Sequence, residues 1–237
     1  PLAADRSIVA SLSLTLTLTL TPAHSHNRRK WKVYTKTGDA GTSSLYNMHR
    51  EPKDHEYFHA LGDTDELNAH VGVGCEHCRA SSMLPVLTER LVEVQSRLFD
   101  IGSAIATPLD TSSEKQLKRA RFSAGHIVTL EGWIDEMDEE LPALKNFILP
   151  SGGLCSAELH VARTVCRRAE RRTVKLARDG KVAAPVAIWL NRLSDFFFVA
   201  ARYAALKTGN TETVYKKARE VVVEVEATAD ADADAST

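Results

Sequence analysis

The segment Arg163-Thr-Val-Cys-Arg167-Arg168-Ala-Glu170-Arg171-Arg172 places five guanidinium groups and one carboxylate within about three turns of a stretch that reads as helix. Such crowding repels itself unless anions are nearby, so any fold this chain adopts must provide them. At helical spacing Arg163, Arg167 and Glu170 share one face, while Arg168, Arg171 and Arg172 fan around the side. Leu154, Leu159, Val161 and Ala162 precede them and are expected to fix the helix in a core. Guanidinium forks anchored in a row donate in a plane and stay charged, which suits a polyphosphate. The same run read alone is equally a solvated arginine-rich face.

A second anion-binding signal lies upstream. Tyr34-Thr-Lys36-Thr-Gly38-Asp-Ala-Gly41-Thr-Ser43-Ser44 carries two glycines, one lysine and five Ser or Thr hydroxyls. Glycines let backbone N–H groups turn inward around an anion, hydroxyls donate further bonds, and the lysine adds a point charge. The spacing is not that of a P-loop, because Lys36 precedes the glycines. Alone, the segment is a polar turn; beside an arginine helix it forms one half of a two-part phosphate site.

Between these signals the periodicity is helical almost throughout. Phe58, Leu61, Leu67 and Val71 mark a helix from Asp54 to about Arg79, and Leu87, Leu91, Val94, Leu98 and Ile101 mark a second from Leu84 to about Ile105. A third, from about Ser123 to Glu140, carries Ile127, Leu130, Ile134 and Met137. The arginine helix is entered through Pro150-Ser-Gly-Gly153 and ends near Gly180. A fifth starts at Pro185, with Ile188, Leu193, Phe196, Val199 and Ala200 inside, and runs to about Leu206. The pattern predicts an all-α fold, a five-helix bundle entered by a short extended segment at Val33.

Composition narrows the function class. A formal net charge of −1 excludes a general nucleic-acid binder, since the basic residues are clustered rather than global. Cys75-Glu-His-Cys78 is a lone C-x-x-C with no second pair and reads as structural; Cys155 and Cys166 read as small packing residues. The histidines have no metal-ligand spacing; His70 and Glu158 put polar groups on otherwise apolar helices, and His70 reads as a satisfied surface or interface residue rather than a ligand. Residues 1–30 form a leader that is poor in acids, rich in Ser and Thr, and ends in Arg28-Arg29-Lys30. This composition is that of an organelle transit peptide and would place the protein in the mitochondrial matrix; otherwise it is cytoplasmic. Its apolar run also resembles a secretory core, and is too short to span a membrane as an ordinary helix. Residues 210–237 form a C-terminal extension, with a disordered acidic tail from about Ala227.

Four blocks in order carry a family resemblance: Thr35-Lys-Thr-Gly-Asp-Ala-Gly41, Gly62-Asp-Thr-Asp65-Glu66-Leu67-Asn68, Phe147-Ile-Leu-Pro-Ser-Gly-Gly153, and the arginine run followed by Asn191-Arg192-Leu193-Ser194-Asp195. The chain resembles the propanediol-utilisation type of ATP:cob(I)alamin adenosyltransferase over a domain of residues 31–209. The resemblance implies a ferritin-like up-down helical bundle, a homotrimer with active sites between subunits, and transfer of the 5′-deoxyadenosyl group of ATP to cob(I)alamin with release of triphosphate. It implies ATP contacts from Thr35, Lys36, Thr37, Gly38, Ser43, Lys53, Arg167, Arg168, Glu170, Arg171 and Asn191. Asp65 and Arg163 would form an intersubunit salt bridge, and Phe147 would pack beneath the corrin and displace the lower cobalt ligand. From the residues alone, Phe147 is core packing.

The chemistry suits these residue types. Cobalt attacks the ribose 5′ carbon, so no protein nucleophile is needed, and the protein must hold a highly charged leaving group in line. Magnesium would bind through phosphate oxygens and retained waters rather than a protein cage, so no protein metal site is expected. A reductase supplying the electron and an adenosylcobalamin-dependent enzyme receiving the product are the partners this activity brings. A carrier or sensor of ATP or cobalamin would bind the same ligands without turnover. A structural bundle whose arginines engage an acidic protein would leave the glycine loop without a task.

Overall fold

Apolar side chains at three- and four-residue intervals recur along the chain, and each interval becomes the buried face of one helix. The computed structural model describes residues 34–218. The leader, the Val33 entry and the acidic tail lie outside the described residues. The chain divides into two units, Pro1–Lys36 and Thr37–Thr237, and all elements belong to the second. In chain order they are β1 (Thr42–Ser44), β2 (Arg50–Pro52), α1 (Glu56–Arg79), α2 (Pro85–Ile105), α3 (Glu114–Arg119), α4 (Gly125–Asp138), α5 (Leu154–Arg178) and α6 (Ala184–Lys207).

The fold is all-α, with five long helices as the periodicity predicts. Helix α5 packs against α1 on one side and α6 on the other; α2 lies against α1, and α4 against α6. Leu67, Val71, Leu91, Val94, Leu98, Leu159, Leu190, Leu193, Phe196 and Phe197 are almost fully buried and form one core. Three helix residues read as core are not: Leu154, Val161 and Ile188 are 72%, 40% and 44% exposed, because they stand on sides of α5 and α6 that no other helix among the described residues covers.

Helix ends follow local chemistry. His55 caps α1 by accepting the Tyr57 N–H at Nδ1, Pro85 stands in the first turn of α2, and Pro185 in that of α6. Helix α3 is too short to have a periodic signal and was not expected. It is nucleated by Ser113 and Gln116, whose side chains form a capping box. In the antiparallel hairpin Thr42 pairs with Pro52, Ser43 with Glu51 and Ser44 with Arg50; its first strand lies in the segment that reads as a polar turn, and its second, Arg50–Pro52, has no signal in the sequence reading.

The cysteine reading needs correction. Cys155 is bonded to Cys78, with Cα atoms 5.5 Å apart, so it ties the end of α1 to the start of α5 rather than merely packing. Cys75 and Cys166 are buried thiols. His70 Nδ1 lies 2.6 Å from Glu158 Oε1, so the two polar groups on α1 and α5 satisfy each other.

The turn into α5 depends on backbone that only glycine adopts easily. Gly152 and Gly153 have φ of +92° and +90°, and a Cβ on Gly152 would lie 2.6 Å from the Ala205 Cβ of α6. Gly152→Ala is expected to cost about 2 kcal/mol or more through left-handed strain and overlap. Gly132→Ala, inside α4 with open space around it, is expected to stabilise by up to about 1 kcal/mol. Denaturant midpoints of the two variants check both signs.

Candidate active site

Helix α5 holds its cations on two sides. On the α1 side, Asp63 Oδ1 accepts from Arg168 Nε at 3.2 Å and Asp63 Oδ2 lies 3.9 Å from Arg172 Nε. Glu66, one turn on, takes the Nη2 of Arg168. Further along, Glu56 receives Lys175 at 2.7 Å and Lys181 at 2.6 Å. Those two ammonium groups hold its carboxyl at about 2, well below its ordinary 4.5. Hydrogen bonding to Arg168 likewise lowers Glu66 and raises the guanidinium.

On the α6 side the arrangement is different. Arg167, Glu170, Arg171 and Val174 of α5 and Asn191 of α6 line an open cavity of about 370 Å³. Arg167 and Arg171 form no ion pair with a carboxylate among the described residues. Glu170 Oε1 accepts from Asn191 Nδ2 at 2.8 Å, Asn191 Oδ1 accepts from Arg192 Nη1 at 2.7 Å, and Arg192 Nε donates to Glu131 Oε1 at 2.8 Å. The cavity therefore holds two cations and one carboxylate that is already engaged, an environment fitted to an anion richer in charge than Glu170 alone.

Arg163 stands toward the other end of α5. Its guanidinium lies 5.9 Å from the Phe198 ring centroid, its Nε is buried without a partner, and desolvation followed by repulsion from Arg167 lowers its pKa. His160, one turn earlier, is 3% exposed with Nδ1 unpartnered. Burial, aided by Arg163, pulls its pKa from 6.5 to about 4, so the ring is neutral at pH 7. Asp65 is exposed on α1 and lines a separate cavity of about 420 Å³ with Phe58, Asn68 and Phe99; it does not pair with Arg163 within the chain.

The hairpin organises the glycine loop. Arg50 Nη2 donates to Thr37 O at 2.7 Å and Thr42 Oγ1 at 2.6 Å, while Gly41, at φ +76°, accepts the Lys53 N–H at 2.9 Å. A Cβ on Gly38 would meet Lys53 Nζ at 3.1 Å, so the ammonium rests against the bare loop. Thr37, Gly38, Ser43 and Lys53 are thus brought together; Thr35 and Lys36 belong to the first unit.

Phe147 is 81% exposed, against its reading as core. It is held by backbone: Tyr215 N donates to Phe147 O, and Leu149 N to Thr213 O, each at 2.8 Å. The wall of a cavity of about 360 Å³ beside it includes Leu144, Lys145 and Tyr215.

Residues 33–204 match the model of the cobalamin adenosyltransferase family. This chain belongs to that family. It is 49% identical over 186 residues to the corrinoid adenosyltransferase MMAB of Mus musculus, covering 78% of this chain and 78% of that protein. It is 37% identical over 187 residues to the corrinoid adenosyltransferase of Bacillus subtilis, covering 79% and 93%. Among solved structures, a variant of the PduO-type ATP:corrinoid adenosyltransferase from Lactobacillus reuteri, complexed with cobalamin and ATP, aligns with TM-score 0.72 at 39% identity, covering 78% of this chain and all of that one.

The adenosyltransferase chain gathers Arg167, Glu170, Arg171 and Asn191 at one cavity and the loop residues at the hairpin, but sends Arg168 to α1. Asp63, Arg192 and Glu131 were not singled out from sequence. Asp63 and Arg192 sit inside the ordered blocks, so block membership was the available signal; Glu131, on α4, gave none.

His160 supplies a pH test. Between its unfolded value near 6.5 and its folded value of about 4, the unfolded chain binds the extra proton, so folding stability falls as pH drops through that window and the loss stops below it. His160→Gln is expected to remove this component. Denaturant midpoints of parent and variant should diverge between pH 7 and pH 4 and run parallel below; a constant difference contradicts the buried neutral imidazole.

Proposed function

We propose that this adenosyltransferase binds the triphosphate of ATP at the Arg167–Arg171 face of α5 and presents the ribose to cob(I)alamin held against Phe147. The reaction is transfer of the 5′-deoxyadenosyl group to cobalt. The Co(I) electron pair forms the Co–C bond, the C5′–O bond breaks, and its electron pair leaves on triphosphate, so cobalt is formally oxidised by two electrons. The observation that carries the reading is the contrast along α5: Arg168 and Arg172 are neutralised by α1, while Arg167 and Arg171 face a cavity with no carboxylate partner.

Each residue has a defined task. Arg167 and Arg171 offset charge on the leaving triphosphate as it develops, where fixed donors act with little reorganisation. Thr37, Gly38, Ser43 and Lys53 supply amides, hydroxyls and an ammonium group to the phosphates from the hairpin side. Arg168 joins them only by leaving Asp63 and Glu66, and so acts chiefly by holding α5 to α1. Glu170 orients Asn191 and does not serve as a base. The cavity offers a single carboxylate among arginines, too few donors for a protein cage, so magnesium would enter with ATP, with Glu170 the one side chain here that could help hold it, and would supply positive charge to the triphosphate.

The active unit is a homotrimer in this reading. Asp65 is exposed and unpaired, Arg163 has a buried Nε without an acceptor, and a pair between them across subunits would satisfy both. Phe147, apolar and projecting, carries no atom that can ligate cobalt, so it would take the lower face of the corrin and favour the four-coordinate centre that is easier to reduce. A reductase and an adenosylcobalamin-dependent enzyme complete the sequence, and the acid-poor leader supports a mitochondrial location.

Arg167→Ala is expected to lose most adenosylation, by about a hundredfold or more, because triphosphate charge is left uncompensated. Cys75→Ser, a buried thiol away from the cavity, should retain activity. Phe147→Ala should keep ATP affinity and lose the absorption and paramagnetic signature of four-coordinate cob(II)alamin. Equal loss in Arg167→Ala and Cys75→Ser, or unchanged cob(II)alamin spectra in Phe147→Ala, contradicts the respective assignment. ATP and cobalamin binding without Co–C bond formation in the parent would make the protein a carrier.

A further inference from the structure

The carboxamide of Asn191 has two nearly isosteric orientations that present opposite patterns to a ligand. Its surroundings select one. Arg192 Nη1 can only donate, and it reaches Asn191 at 2.7 Å, so the atom it meets must be Oδ1. Glu170 Oε1 accepts at 2.8 Å, which fixes the other atom as Nδ2. One N–H and one lone pair of the amide remain for a nucleotide in the cavity.

Arg192 follows Asn191 directly, so on a helix the two side chains leave the axis about 100° apart and do not meet by default. The contact requires Arg192 to be held back toward its neighbour. Glu131 does this from α4, accepting Arg192 Nε at 2.8 Å. Helix α4 contributes no side chain to the cavity wall, yet through Arg192 it is coupled to Asn191 and Glu170. We propose that Glu131 and Arg192 are positioning residues that lock the Asn191 amide in the orientation that binds ATP. The inference rests on the reading of this cavity as the ATP site.

A surface pair of this kind contributes little to stability, and Arg192 and Glu131 are 40% and 44% exposed. Its effect is therefore to be sought in nucleotide affinity. Glu131→Ala should weaken ATP binding by about five- to tenfold, measured calorimetrically without cobalamin, with the matching rise confined to KM for ATP. The kcat, KM for cobalamin and Tm should stay close to the parent's. Glu131→Gln retains an acceptor oxygen and should recover most of the affinity. In an Asn191→Ala background Glu131→Ala should add nothing, because its action passes through the amide.

Unchanged ATP affinity in Glu131→Ala, an additive loss in the Asn191→Ala background, or a loss that follows Tm overturns the proposal. If Asn191→Ala itself leaves ATP affinity unchanged, the cavity assignment fails instead, and that result separates the two.

Discussion

The ion pairs of Asp63 with Arg168 and Arg172 divide the charge of α5. Five arginines in adjacent turns cannot all face one anion, nor can all be left to repel one another in water. The α1 carboxylates relieve one side and dock α5 in the same act. The side turned to α6 is left uncompensated, and the energetic tension that remains is available to a ligand. Asp63 is well suited to this, being only 19% exposed and therefore less screened than a surface pair.

Packing then decides what surrounds the open side. Helix α6 buries Trp189, Leu190, Leu193 and Phe197 against its neighbours, which turns Asn191 out to α5 beside Glu170. At another place on the surface, the pairing of residues 147–149 with 213–215 presents Phe147 by backbone bonds alone, leaving its ring uncovered. Exposed Leu154 and Val161 continue an apolar stripe on α5 that no other element among the described residues covers.

The five long helices were legible because each repeats its apolar positions over many turns, and their ends coincide with Pro85, Gly152-Gly153, Gly180 and Pro185. The hairpin strands, three residues each, and six-residue α3 fall below the length at which periodicity speaks. Leu154, Val161 and Ile188 depart from expectation because apolar character favours burial without specifying which helix faces meet. The Cys78–Cys155 bond joins residues 77 apart and depends on how α1 meets α5. For the site, spacing alone placed Arg167 with Glu170 but could not say that Arg168 turns to α1, since that direction is set by Asp63 and Glu66, about a hundred residues away.

Arg171 and Arg172 are neighbours in the chain with identical chemistry and opposite surroundings. The most direct measurement is the ATP dissociation constant of Arg171→Ala beside that of Arg172→Ala. The divided helix predicts about a tenfold or greater loss for Arg171→Ala, and for Arg172→Ala a change within about twofold with a lowered unfolding midpoint. Equal losses of ATP affinity in the two variants, or a loss confined to Arg172→Ala, would contradict it.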